Sequence, residues 1–455
     1  MGVKNQIDEV KLNHWLNIRK TTFEVLNDYL AGKINSKISK NNLKELDQFS
    51  IEKIAEVLRI PTSYLLKEED VPVFLFQTKE EIEKTRRPIC RGGIHFYNYY
   101  TLPTPHAYVA PVLIDILCPK DKLPVLNHGH LEPAVTISLG PNDIYARFAK
   151  KLNKTTWLKF KINKDKKSDW VVGSSYYEPS YCLHTYSRAT NGPGRILSYT
   201  TRSNLENLLG KKFNNNSFNN FVKIINGLKI NRYFFKLDIM GKGYSFKEIS
   251  KKTKIELKKI KNYFKKNSSF LSNKEINKIC SIINSDPNLY ADRKFTEDSI
   301  GKLYFDTKES LKTKRKFKSY TVASIANSAR YADLFGYFLK VENLNRKRIF
   351  DLMDSTCAHY LVTGGKMKFH ILEGEKGKII ELKKDDAIWV SAFTKHGFTG
   401  LGSLIKLCDG QNINYLEKQE LMKTFNLKYT LKRGREDKQT WGYEEKMENK
   451  IDATF

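Results

Sequence analysis

Apolar residues at Ile51, Ile54, Ala55 and Leu58 recur at the three- and four-residue spacing of one helix face. Ser50 stands before them as an N-cap, and Pro61 opens a short turn after them. Shorter segments of the same character begin at His14-Trp15-Leu16 and at Phe23-Glu24-Val25-Leu26. Residues 1–70 therefore read as a small helical domain of the helix-turn-helix type. From 71 the texture changes. Short runs such as Val73-Phe74-Leu75-Phe76 and Ala134-Val135-Thr136-Ile137-Ser138-Leu139 alternate with Gly, Pro and Asn turns, the mark of a β sandwich or barrel over 71–205. Helical spacing returns over 206–300, as in Phe246-Lys247-Glu248-Ile249 followed by Ile255-Glu256-Leu257. Strand patterns return over 301–455, as in Ile379-Ile380-Glu381-Leu382 and Ala387-Ile388-Trp389-Val390.

The order helical, β, helical, β predicts an α+β chain built by tandem duplication, each helical domain followed by a β-barrel. A local echo supports it. Ile54-Ala55-Glu56-Val57-Leu58 with Pro61 and Tyr64-Leu65 resembles Ile279-Cys280-Ser281-Ile282-Ile283 with Pro287 and Leu289-Tyr290.

With 455 residues the chain has ample length for several cores, and 40% hydrophobic content excludes a mostly disordered chain. The net charge of +29 suggests polyanionic partners, yet the excess is mostly Lys spread along the chain, as compositional drift produces. No run approaches the roughly 18 apolar residues of a membrane span. The six cysteines are scattered with no CxxC, which predicts free thiols and a cytoplasmic protein.

The chemistry concentrates between 86 and 202, which holds five of the nine histidines. His128-Gly129-His130 and the later Glu178 and His184 offer two imidazoles and a carboxylate from different strands, the donor set of a non-heme Fe(II) oxygenase. Zinc accepts the same donors. Read as a strand, His-x-His puts both rings on one face, so His128 and His130 are equal candidates.

Several blocks resemble the 2-hydroxyethylphosphonate dioxygenase family, which also contains methylphosphonate synthase. They are Arg87-Pro88-Ile89-Cys90-Arg91-Gly92-Gly93-Ile94-His95-Phe96-Tyr97-Asn98-Tyr99, Gly129-His130-Leu131-Glu132-Pro133-Ala134, Glu178-Pro179-Ser180-Tyr181-Cys182 with His184, and Arg195-Ile196-Leu197-Ser198-Tyr199-Thr200. The likeness runs from His14-Trp15 to Trp441-Gly442-Tyr443, and it implies that the β domains are cupins. It implies one Fe(II) on His130, Glu178 and His184, with His128 beside it. Arg91, Tyr99, Asn127, Tyr176 and Ser198 match positions that hold substrate, and Lys20 matches a mobile phosphonate-binding lysine. The implied reaction splits the C1–C2 bond of 2-hydroxyethylphosphonate with O₂ into hydroxymethylphosphonate and formate, without 2-oxoglutarate, in a homo-oligomer. Synthase members lack the carboxylate ligand and use a glutamine four residues after the first His. Here Ala134 stands at that place and Glu178 is kept, which favours the dioxygenase. In the second β domain, His359 and His396 are read as the counterparts of His130 and His184. Val390 stands six residues before His396, where the first domain has its acid, so this copy reads as metal-free.

A reading of another class is a DNA-binding regulator, with Lys251, Lys252, Lys254, Lys258 and Lys259 meeting phosphates. The retained triad and the enzymatic match of Lys20 weigh against it.

Overall fold

The computed structural model describes residues 6–436 except 68–69, 107, 123–124, 149–156, 166–169, 202, 204, 206–216, 221, 223–228, 292–302 and 345–346. Two compact units result, one of Met1–Phe74, Pro105–Tyr108 and Ile413–Phe455, the other of Leu75–Thr104 and Val109–Asn412.

In the first unit, α1 (Glu9–Ile18), α2 (Phe23–Leu30) and α3 (Gln48–Leu58) are capped by Asp8, Thr22 and Asp47, each accepting from a backbone N–H three residues on. The expected cap Ser50 instead lies inside α3, because Asp47 supplies the acceptor one turn earlier and takes the Ser50 N–H. Leu12, Leu16, Leu26, Leu30, Ile51, Ile54 and Leu58 form the core. Helix α3 ends on Arg59 in the left-handed region, and a 3₁₀ turn follows at Thr62–Tyr64.

The second unit carries the strands. Its first half contributes β1 (Phe74–Gln77), β2 (Arg87–Arg91), β3 (Ile94–Thr101), β4 (Val112–Ile116), β5 (Ala134–Pro141), β6 (Ile144–Phe148), β7 (Trp157–Phe160), β8 (Ile162–Lys164), β9 (Val171–Gly173), β10 (Ser175–Glu178), β11 (His184–Arg188) and β12 (Gly194–Thr200). The second half contributes β13 (Leu303–Phe305), β14 (Arg315–Phe317), β15 (Tyr320–Ser324), β16 (Phe335–Asn343), β17 (Ala358–Glu373), β18 (Lys376–Leu382), β19 (Ala387–Val390) and β20 (His396–Cys408). Between them, helices Ile230–Gly241, Phe246–Thr253, Leu257–Tyr263 and Asn273–Ile283 enclose Phe235, Ile249, Ile260, Ile276 and Ile279. The last ends like α3, on left-handed Asn284 followed by a 3₁₀ turn at Pro287–Leu289.

Among the described residues the strands do not close into the barrels expected from the sequence. The first half forms an open path β13-β10-β5-β12-β4-β3-β2 faced by a separate ladder β11-β6-β7. Ile114, Ile116, Phe148, Phe160, Tyr176 and Ile196 fill the space between the two layers, so burial is achieved by packing sheets face to face without a closing ladder. The second half forms β1-β19-β17-β20-β16-β15-β14, with β18 on β17.

These orders contain an exchange. Strand β1 precedes the first sheet in sequence but pairs with β19 of the second, and β13 precedes the second but pairs with β10 of the first. A single core runs through both, joining Leu113, Ile137, Tyr177 and Leu197 to Ile325, Phe338, Leu361 and Ile405.

The two β regions follow one plan in detail. Arg87 donates to the Thr85 carbonyl and the Thr101 hydroxyl, and Arg315 donates to the Thr313 carbonyl and the Ser324 hydroxyl. The Thr85 hydroxyl accepts from Thr101 N, and the Thr313 hydroxyl from Ser324 N. Capping boxes at Thr78/Glu81 and Asp306/Glu309 start the short helix preceding each arginine, α4 (Lys79–Glu83) in the first region and Thr307–Lys312 in the second.

Candidate metal centre

Strand β10 ends on Glu178, which pairs in register with Ala134 at the start of β5. His130 lies just before β5, and His184 opens β11. The chain between Glu178 and His184 turns through Tyr181, whose φ is 56° and whose N–H donates to the His130 carbonyl at 2.6 Å. That bond brings the two ligand-bearing segments side by side.

His130, Glu178 and His184 come together as three ligand groups whose donor atoms all lie within 4.8 Å of one another. His130 Nε2 is 3.2 Å from Glu178 Oε1, and His184 Nδ1 is 3.3 Å from Oε2. His130 Nδ1–H donates to the Glu132 carbonyl at 2.6 Å and His184 Nδ1–H to the Cys182 carbonyl at 2.9 Å, so backbone oxygens fix both rings. Asn127 donates its amide to His184 Nε2 at 2.9 Å. Burial pulls the His130 pKa down, but the hydrogen bond and charge of Glu178 outweigh it and leave it raised.

Glu178 is 1% exposed, and its Oε2 accepts no hydrogen bond. A buried carboxylate between two imidazoles, with one oxygen unused, needs a cation to offset its desolvation. The donor set thus fits a divalent metal held by two imidazoles and a carboxylate, with positions left open for other ligands.

His128 and His130 are separated by backbone geometry. The segment is not a strand; Gly129 has a φ of 73°, and a Cβ there would lie 2.6 Å from the Tyr181 carbonyl carbon. Only a glycine permits this turn. It leaves His128 exposed while His130 faces the carboxylate. The equivalence of the two rings expected from strand alternation therefore fails.

A cavity of about 510 Å³ opens over the triad, lined by Phe96, Tyr97, Tyr99, Val112, Asn127 and Ser198 together with His130, His184 and Tyr186. Tyr99, Asn127 and Ser198 are thus at the site. Tyr176 is fully buried one layer back, where its hydroxyl meets that of Tyr186, and it is Tyr186 that reaches the cavity. Burial first, then the Glu178 charge, pushes both phenols well above their usual pKa. Tyr186 was missed in the sequence because a tyrosine two residues past a ligand reads as an ordinary inward strand residue. Arg91 ends β2, and its side chain lies outside the described residues. Lys20 belongs to the other unit, in the turn after α1, with a φ of 55°.

Comparison with known proteins agrees with this geometry. The family described as 2-hydroxyethylphosphonate dioxygenase cupin-like domain matches residues 83–201. The 2-hydroxyethylphosphonate dioxygenase of Streptomyces viridochromogenes is 33% identical over 445 residues, covering 96% of this chain and 100% of that protein. A solved structure of PhpD with cadmium, complexed with hydroethylphosphonate (HEP), superposes with a TM-score of 0.80 at 32% identity, covering 94% of this chain and 100% of the other. A Streptomyces albus HEPD structure with 2-hydroxyethylphosphonate and Fe(II) bound shares the fold, with a TM-score of 0.77 at 13% identity over 96% and 98% of the two chains. With full-length identity to a curated member and the family's cupin segment carrying the His130–Glu178–His184 cluster, the chain belongs to the 2-hydroxyethylphosphonate dioxygenase family.

Proposed function

We propose that this chain is an Fe(II)-dependent dioxygenase that cleaves the C1–C2 bond of 2-hydroxyethylphosphonate with O₂, giving hydroxymethylphosphonate and formate. The observation that carries the reading is Glu178, buried between His130 and His184 with a free carboxylate oxygen. The synthase alternative is weaker, because Ala134 cannot replace that carboxylate and Glu178 is in place.

His130, Glu178 and His184 would hold the iron, which supplies the O₂ chemistry when bound. The chain's other residues bind and orient. Tyr99, Asn127 and Ser198 line the cavity with a phenol, an amide and a hydroxyl, all able to donate to phosphonate oxygens or to the substrate alcohol. Arg91 is proposed as the guanidinium that neutralises the phosphonate, and Lys20 as a flexible ammonium for the same dianion. Tyr186 lines the cavity, and its hydroxyl is held by that of Tyr176 behind it. Phe96, Val112 and Ile114 make the remaining wall apolar, which limits water around the reacting carbon.

The matched arginine latches, capping boxes and helix endings support a chain duplicated as a whole, with divisions near 70, 205 and 300. Among the described residues no helix is long and apolar enough to cross a membrane. Anaerobic loading with Fe(II), addition of 2-hydroxyethylphosphonate and exposure to O₂ tests the function. Oxygen uptake with formate release is expected, and an unconsumed substrate would overturn the reading.

A further inference from the structure

The strand registers say which residue of the second β region stands where each site residue stands in the first. Glu178 pairs with Ala134 on β5, and Val390 pairs with Ala358 on β17, so Val390 takes the place of Glu178. His184 and His396 open the equivalent strands, and each donates Nδ1–H to the carbonyl two residues before it, at 2.9 and 2.8 Å. Tyr181 and Phe393 both lie three residues before that histidine, with φ of 56° and 58°. The Tyr181 N–H donates to the His130 carbonyl and the Phe393 N–H to that of Asp354. Asp354, rather than the expected His359, is therefore the counterpart of His130. His359 lies elsewhere, its ring joined to Tyr199 at 2.7 Å and Thr104 at 2.9 Å in the contact between the two β regions.

Three more positions follow from the same ladders. Ser198 sits between Thr136 and Val112, and Lys406 sits between Tyr360 and Tyr337. Ser198 and Val112, which line the cavity, and the buried Thr136 are thus replaced by an ammonium and two phenol rings. Lys406 is 4% exposed, forms an ion pair with Asp354 Oδ1, and has its Nζ 5.0 Å from the Tyr337 ring centre. Tyr360 donates to His396 Nε2 at 2.7 Å, as Asn127 does to His184 Nε2 at 2.9 Å in the first region. Asp354 Oδ2 is buried with no hydrogen-bond partner, as Glu178 Oε2 is in the first region.

We propose that the second β region is a former metal site in which the Lys406 ammonium supplies, from within the chain, the positive charge that a divalent ion supplies in the first. One chain then takes one metal ion, and removing the ammonium reopens the place to a divalent cation. The inference rests on the reading that His130, Glu178 and His184 hold the first ion. Asp354 and His396 are two ligands already in position, and Val390 stands where a carboxylate completes the set. A buried carboxylate stripped of its cation is strongly destabilising, so the charge at position 406 matters more than its shape.

Anaerobic Co(II) titration of the full chain, read by bound metal per chain and by the visible ligand-field bands, is the test. The unmodified chain should hold one equivalent and Glu178→Ala none. Lys406→Ser with Val390→Glu should hold two, and one once Glu178→Ala is added. Two equivalents in the unmodified chain, falling to one with Glu178→Ala, would overturn the proposal while leaving the first site intact. One equivalent that survives Glu178→Ala would instead refute the first-site reading. A double variant that folds and takes no second ion also overturns the proposal. Should it not fold, two single variants decide. Lys406→Arg should melt near the unmodified chain, and Lys406→Met on the order of 5–10 °C lower. An unchanged melting temperature for Lys406→Met counts against the proposal.

Discussion

The two β regions share backbone, register, hydrogen bonds and one histidine of the ligand set, yet differ at the other positions that make the first a metal site. In the first, His130, Glu178 and His184 converge beneath a cavity. In the second, Asp354, Val390 and His396 occupy the same places, with Lys406 paired to Asp354 and flanked in the ladders by Tyr337 and Tyr360. The plan of the sheet fixes where ligands can stand, and five or six side chains decide whether the place holds a metal or packs like a core. The exchanged strands β1 and β13 explain why the second region persists without a site. Each sheet borrows its edge strand from the other's half of the chain, and both draw on one core.

The sharpest way to break the comparison is to remove the one carboxylate that distinguishes the two. Glu178→Ala should abolish metal retention and reduce turnover by at least 100-fold, checked by metal content and oxygen uptake, because the remaining imidazoles cannot offset the ion's desolvation.

Next is the shared core. Phe338 is fully buried in the second half but belongs to the cluster that includes Ile137 and Leu197 of the first. Phe338→Ala should cost about 3–5 kcal/mol. Denaturant unfolding should show both β regions melting together, in one transition; separate transitions would contradict a common core.

Acid should act through the second region's histidines. Burial holds His359 down to about 3 and His396 down to about 4. The unfolded chain takes up these protons near pH 6.5, whereas the folded chain does so only at the lower values. The contribution of the neutral rings is therefore present above pH 6.5 and is lost as pH falls toward 4 and then 3, a decline on the order of a few kcal/mol. His359→Gln should flatten that decline in urea titrations between pH 7 and 4, at some cost in stability at pH 7 from the lost Tyr199 and Thr104 hydrogen bonds.

A smaller effect is expected at the turn that separates His128 from His130. Gly129→Ala places a Cβ against the Tyr181 backbone and should weaken metal binding about 10-fold by shifting His130, while His128→Ala should leave it unchanged. Equal losses in the two variants would restore His128 as a ligand.

Much of this was legible in the sequence. The period of Ile51, Ile54, Ala55 and Leu58 marks α3, and the imidazole and carboxylate donors at His128, His130, Glu178 and His184 mark the site, with the family resemblance singling out His130. The failures have physical causes. Strand alternation assigns His128 and His130 to one face, but a left-handed glycine between them is not a strand. Strands of three or four residues such as β13 and β1 carry no local signal of which sheet accepts them, so the exchange is invisible before folding. His359 was matched to His130 by residue type, whereas equivalence is set by the ladder, which selects an aspartate. Likewise the closed barrels inferred from short strands became open sheets, because face-to-face packing buries the same residues.

The most direct measurement of the central claim is phosphorus NMR of the products formed by the Fe(II)-loaded chain from 2-hydroxyethylphosphonate and O₂. Hydroxymethylphosphonate as the main phosphorus product, with one formate released per substrate and none of it formed by Glu178→Ala, is the predicted result. Methylphosphonate as the main product, or a substrate signal unchanged after O₂ exposure, would contradict it.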